Sequence, residues 1–267
     1  DDERHDAAIL FDDTQAEAFL DALEEMDHIT HFYIGTGSNK LFQDLKARIT
    51  ELTSRKVARP VTVAEDLERV LPVVETLTAE LPVPVSIDTS KPEVMRATVA
   101  AGAGLINDVL ALRAQGALRA ASESAVPVCL MHMHGEPRTM QMQPACADVV
   151  VEVKRFLAER VGACEAAGIP RHRLLVDPGF GFGKDLRHNL ALLRQLDRLA
   201  ELGLPVLVGI SRKSMLGALT ARAVEHRLAG SLAAAVLAVV KGASIVRAHD
   251  VADTVDALKV ASAVLGT

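Results

Sequence analysis

A single (β/α)8 barrel, an α/β fold in which eight strands alternate with helices, is what this sequence predicts, on three observations. Short apolar runs alternate with longer amphipathic stretches. Eight such runs fit into 267 residues, the length this barrel needs. Polar groups then collect at one end of those runs, where the barrel places its chemistry.

The runs are Ala8–Phe11, His31–Ile34, Val83–Asp88, Leu105–Val109, Val126–His132, Leu174–Asp177, Pro205–Ile210 and Ser244–His249. Rich in Val, Ile and Leu and mostly apolar on both faces, they read as buried parallel strands. Leu67, Val70, Leu71, Val74, Leu77 and Leu81 recur at helical spacing, as do Val149, Val153, Phe156, Leu157 and Val161. Pro72 inside the first set predicts a kink or a local irregularity. A doubly wound sheet is the rival arrangement, but it rarely needs eight regular units. No Ser/Gly-rich linker, charge block or short repeat divides residues 1–267, so one domain is expected.

Composition excludes several classes of function. Apolar residues are 49% and charged residues 24%, which rules out extended disorder. Lys plus Arg number 29 against 35 Asp plus Glu, a net charge of -6. That balance argues against a nucleic-acid partner while leaving room for a local cationic pocket. With no Trp and one Tyr, base-stacking platforms are not expected. The longest apolar run, Ala229 to Val240, falls short of the roughly 18 residues of a membrane span. Three scattered cysteines without a CxxC pair read as reduced thiols, and the polar start lacks a signal-peptide core. A cytoplasmic protein, trimmed of its initial Met, is expected.

Polar residues close six consecutive runs. They are Asp88-Thr89-Ser90-Lys91, Asn107-Asp108, His132 with His134, Asp177, Ser211-Arg212-Lys213, and Arg247 with His249. One such group is ordinarily a helix cap or a loop ion pair; six at one end point to a site. Arg247 and His249 are two apart on a strand and share a face, with Lys213 on the neighbouring run. That cationic corner suits a phosphate or diphosphate. Asp88, Asn107 and Asp177 suit a flat heterocycle offering several N–H donors and a carbonyl.

Three other motifs carry less. Gly179-Phe-Gly-Phe-Gly-Lys184 fits neither GxxxxGK[ST] nor GxGxxG and reads as a tight turn presenting Phe182 over a pocket. His132-x-His134 lacks a third metal ligand at a suitable spacing. Ser90, Ser211 and Ser214 have no GxSxG context.

From about residue 60 onward the chain resembles the dihydropteroate synthase family. The matching segments are Val-Ser-Ile-Asp88-Thr-Ser-Lys, Ile-Asn107-Asp, Met131-His-Met-His-Gly-Glu-Pro-Arg-Thr-Met-Gln, Asp177-Pro-Gly-Phe-Gly-Phe-Gly-Lys, Ser211-Arg-Lys213-Ser-Met and Arg247-Ala-His249-Asp. The resemblance implies a TIM barrel, usually a homodimer. It would join 6-hydroxymethyl-7,8-dihydropterin diphosphate to 4-aminobenzoate with Mg²⁺ assisting. By position, Asp88, Asn107 and Asp177 would bond the pterin, and Val109 and Met131 would line its slot. Lys213 would touch both substrates, Ser211 and Phe182 would border 4-aminobenzoate, and Arg247 and His249 would take the diphosphate. Lys213, Arg247 and His249 would carry the catalysis.

The first 60 residues depart from the family pattern and would form atypical βα units. After the first run, Asp12-Asp13-Thr14-Gln15 stands where the family has a mobile loop whose Asn helps hold the metal, and Asp12 or Asp13 is the expected substitute ligand. Two stretches compete for the second loop, Tyr33-Ile-Gly35-Thr-Gly37-Ser-Asn-Lys40 and Thr53-Ser54-Arg55, so either Lys40 or Arg55 would stand for the loop arginine beside 4-aminobenzoate. An alternative follows: a pterin-binding relative without synthase activity. Corrinoid-linked methyltransferases share the barrel, but they have no need of the diphosphate corner.

Overall fold

The computed structural model describes residues 8–10 (as backbone), 62–80, 83–133 and 148–266. The strands are β1 (Ala8–Leu10), β2 (Ser86–Asp88), β3 (Leu105–Asp108), β4 (Val128–Met131), β5 (Leu174–Asp177), β6 (Leu207–Val208) and β7 (Ile245–Ala248). The main helices are α1 (Val63–Glu80), α2 (Pro92–Ala100), α3 (Ala117–Glu123), α4 (Val149–Ala166), α5 (Leu186–Arg194), α6 (Asp197–Ala200), α7 (Ser214–Thr220), α8 (Leu228–Val240) and α9 (Val251–Leu265). From α1 onward, strand and helix alternate as the apolar runs predict. The His31–Ile34 run lies outside the described residues.

Strands β2-β3-β4-β5 form one parallel sheet, and β6 pairs parallel with β7. A single parallel bridge, Val176 to Val206, joins the two sets. The six strands therefore run the same way and bring their C-terminal ends to one rim. The expectation of a parallel first strand is corrected: β1 pairs antiparallel with β7, Ala8 opposite Ala248 and Leu10 opposite Val246. The edge of β7 offers unpaired N–H and C=O groups, and a three-residue strand satisfies them in either direction. No pairing between β1 and β2 closes the ring among the described residues.

Local sequence explains where the helices begin. Thr62 and Glu65 form a capping box for α1, with Thr62 N donating to Glu65 at 2.9 Å and Glu65 N donating to Thr62 Oγ1 at 3.3 Å. Asp148 caps α4 through Val150 N and Val151 N, and Asp185 caps α5 through His188 N at 2.7 Å. Pro72 does not break α1, which continues to Glu80. Pro72 and Glu68 lie on the exposed face, where water can take the carbonyl bond that proline leaves unmade.

The core is aliphatic, with Val128 and Leu130 of β4, Leu174 and Val176 of β5, and Leu157 of α4 all buried. Each such Val or Leu contributes about 1.5–3 kcal/mol. Away from the site, Arg173 staples the start of β5 to the entrance of β4, donating to Val126 O and Ala121 O at 3.0 Å.

Candidate active site

The polar groups that close the strands converge on the rim. At the end of β3, Asn107 Nδ2 donates to Asp88 Oδ2 of β2 at 3.0 Å. Asn107 Oδ1 is buried and has no hydrogen-bond partner among the described residues. Asp88 keeps access to solvent while protein crowds its carboxylate. Desolvation raises its pKa, while Arg247 and the Asn107 hydrogen bond oppose the shift. Met131 ends β4 and is buried, and Val109 sits half-buried in the turn after β3.

Asp177 ends β5 and serves two neighbours. Its Oδ1 accepts from Gly179 N at 2.7 Å, and its Oδ2 accepts from Arg247 Nη2 of β7 at 3.2 Å. Arg247 lies flat over Gly209, where a Cβ would stand 3.0 Å from the guanidinium. Buried Ser211, after β6, accepts from His249 N at 3.2 Å and pairs with His249 Nδ1 at 3.0 Å. The Lys213 ammonium donates to Phe180 O and stands 4.3 Å from the centre of the Phe182 ring. The acidic slot and the cationic corner are thus adjacent, joined by the Asp177–Arg247 pair.

The glycine-rich segment is a turn, as its spacing predicts. Gly179, with φ +66°, presses so closely on His132 O that a Cβ would overlap it. His132 itself faces α4, with its Nε2 3.9 Å from Glu152 and its ring edge-on to Phe156. A pairing with His134 falls outside the described residues. So do the roles considered for Asp12, Asp13, Lys40 and Arg55.

Several neighbouring residues hold the site through contacts that residue type alone does not show. Asp108 accepts from Ser90 Oγ and from the backbone N–H groups of Leu110 and Leu112, both at 2.8 Å, which shapes the loop beside Asn107. In that loop Ala111 and Leu112 adopt φ of 51° and 56°. Burial raises the Asp108 pKa, with the Ser90 hydrogen bond opposing. Arg212, with φ 58°, makes a two-pronged pair with Asp250 and so orients the segments carrying Lys213 and His249. Cys129 lies buried in the barrel, its thiol pushed well up by burial and then by Asp177. The signal available for Asp108 is an Asx turn, an Asp two residues before the N–H that it captures.

Among the described residues no three His, Cys, Asp or Glu side chains cluster to hold a metal. The groups at the β6–β7 rim are mainly hydrogen-bond donors, which do not suit a hard cation.

The profile of the family described as "Pterin binding enzyme" matches residues 48–249. Dihydropteroate synthase of Escherichia coli is 51% identical over 213 residues, which are 80% of this chain and 76% of that protein. The chain belongs to the dihydropteroate synthase family. It is a transferase of the dihydropteroate synthase type. The Haemophilus influenzae synthase is 48% identical over 208 residues, covering 78% of this chain and 76% of that protein.

Solved structures agree. Dihydropteroate synthase from Xanthomonas albilineans in complex with 7,8-dihydropteroate is 52% identical and superposes with a TM-score of 0.75, covering 85% of this chain and 88% of that one. The same enzyme with 4-aminobenzoic acid is 50% identical with a TM-score of 0.76, covering 88% and 89%. The (β/α)8 expectation stands on these likenesses. The family match begins at residue 48, earlier than the motifs alone suggest. It takes in Arg55 and leaves Lys40 outside.

Proposed function

We propose that the chain condenses 6-hydroxymethyl-7,8-dihydropterin diphosphate with 4-aminobenzoate, giving 7,8-dihydropteroate and diphosphate. The observation that carries this reading is the Asn107 oxygen, buried beside Asp88 and near the Asp177–Arg247 pair and without a partner among the described residues. A pterin ring offers N–H groups to Asp88, Asp177 and Asn107 Oδ1, and a carbonyl to a rim donor. Burying a polar oxygen without a partner costs about 1–3 kcal/mol, and a ligand that satisfies it recovers that cost.

The reaction follows from the neighbours of that slot. The pterin C–O bond breaks and a resonance-stabilised pterin cation remains. The aniline nitrogen attacks it, forms the C–N bond and releases a proton. Arg247, already held by Asp177, meets the departing diphosphate as a preorganised fork, with His249 beside it. Lys213 and Phe182 form the wall against which 4-aminobenzoate lies, with Ser211 bordering it. Mg²⁺ would assist the reaction, and its removal should slow the release of diphosphate.

Calorimetry with the pterin diphosphate, with and without Mg²⁺, followed by 4-aminobenzoate and an assay for released diphosphate, tests the reading. Binding followed by release is the expected outcome. Tight binding without release would leave the pterin-binding relative without synthase activity, and no binding would refute the reading of the slot.

A homodimer is part of the proposal. Leu237 and Val240 on α8 and Val260 and Val264 on α9 are exposed apolar residues on two helices packed side by side. Exposed apolar residues of this kind favour a second copy. A cytoplasmic location is likewise proposed, supported by the free thiols of Cys129 and Cys164, and cell fractionation tests it. No helix among the described residues is long and apolar enough to cross a membrane.

A further inference from the structure

Lys184 has no part in the chemistry above, yet the turn between β5 and α5 is built around it. Its ammonium donates to three backbone carbonyls, Gly179 O at 2.8 Å, Phe182 O at 3.1 Å and His132 O at 3.3 Å. Two of these belong to the turn. The third follows Met131 directly, at the end of β4.

Other contacts hold the same turn from outside. Asn189 of α5 accepts from Gly181 N at 2.8 Å and donates to Lys184 O and Asp185 O. Asp177 accepts from Gly179 N, and Lys213 donates to Phe180 O. Lys184 differs in reaching across to β4. Desolvation pushes its amine down to about 7, with Asp177 and Glu152 opposing and Lys213 reinforcing the shift. An apolar side chain would fill the space at lower cost, so the value of the amine lies in its donors.

We propose that Lys184 is a positioning residue that ties the Phe182 wall to the Met131 floor, so that the second substrate meets a preformed pocket. The proposal rests on the reading of Phe182 as the border of the 4-aminobenzoate site. A lost clamp lets the wall drift by fractions of an ångström without removing any group that touches substrate.

Two variants test it, Lys184→Met, which keeps the stem and removes the donors, and Lys184→Gln, which keeps two. Steady-state kinetics of Lys184→Met should show KM for 4-aminobenzoate raised about tenfold, with KM for the pterin diphosphate and kcat within about threefold. Lys184→Gln should recover part of the loss, and it carries the test if the Met variant does not fold. An equal rise in both KM values, or no change in either, would overturn the proposal.

Hydrogen exchange decides the clamp independently of turnover. Segments 128–133 and 177–185 should both exchange faster in the variant than in the parent protein; unchanged exchange would overturn the proposal. Absence of turnover in the parent protein would instead refute the synthase reading, and the exchange comparison would still decide whether Lys184 ties the turn to β4.

Discussion

Asn107 illustrates a residue whose folding role and ligand role pull in opposite directions. Its Nδ2 serves Asp88, while its Oδ1 is buried without a partner among the described residues. Asn107→Leu, of similar volume, should leave the melting temperature within a few degrees of the parent value, because removing a buried orphan offsets the lost bond. The same change should weaken pterin binding at least about tenfold, roughly 1.4 kcal/mol, as read by calorimetry. Gly179 behaves differently. An alanine there adds a Cβ on top of His132 O at a φ of +66°, so Gly179→Ala should lose about 2–4 kcal/mol in urea unfolding. An unchanged midpoint would mean that the turn can move away from β4 at little cost.

At the scale of elements, the turn after β5 makes a prediction about pH. Burial pushes the folded Lys184 amine down to about 7, against an ordinary value of 10.5. Between those values the unfolded chain binds more protons, so this group makes stability rise with pH. The slope is at most about 1.4 kcal/mol per pH unit and vanishes below about pH 7. Comparing urea unfolding at pH 7 and pH 9 in the parent and in Lys184→Met checks this, since the variant should lose the slope. These elements also show what a sequence can reveal. Parallel strands buried on both faces read as continuous apolar runs, so the ends of β2 to β7 and their terminal Asp88, Asn107, Asp177 and Arg247 were legible. The tethering roles of Lys184 and Asp108 were not, because their partners are largely backbone carbonyls and N–H groups whose positions depend on the assembled turn. The direction of β1 was hidden for a related reason: pairing along an edge leaves no mark on a three-residue run.

Across the whole molecule, α8 and α9 face outward with Leu237, Val240, Val260 and Val264 exposed. Val260→Glu should shift sedimentation toward a monomer while leaving the pterin site on the opposite ends of the strands intact, because a charge placed in an apolar contact opposes association. A sedimentation coefficient unaffected by the change would remove this face from the interface.

The seam between β5 and β6 has a different consequence. One bridge, Val176 to Val206, holds the backbone there, whereas β4 and β5 are paired along four positions. Side chains do the rest at the mouth, where Arg247 reaches Asp177 and Lys213 reaches Phe180. Among the described residues the parallel strands thus form two blocks, β2–β5 and β6–β7, whose backbones meet at that one joint. A molecule gripped by Asp88 and Asn107 on one block and by Arg247 and His249 on the other acts as a bolt through that joint. Part of its binding free energy appears as mechanical coupling of the two blocks, so a bound substrate resists their separation as well as reacting between them.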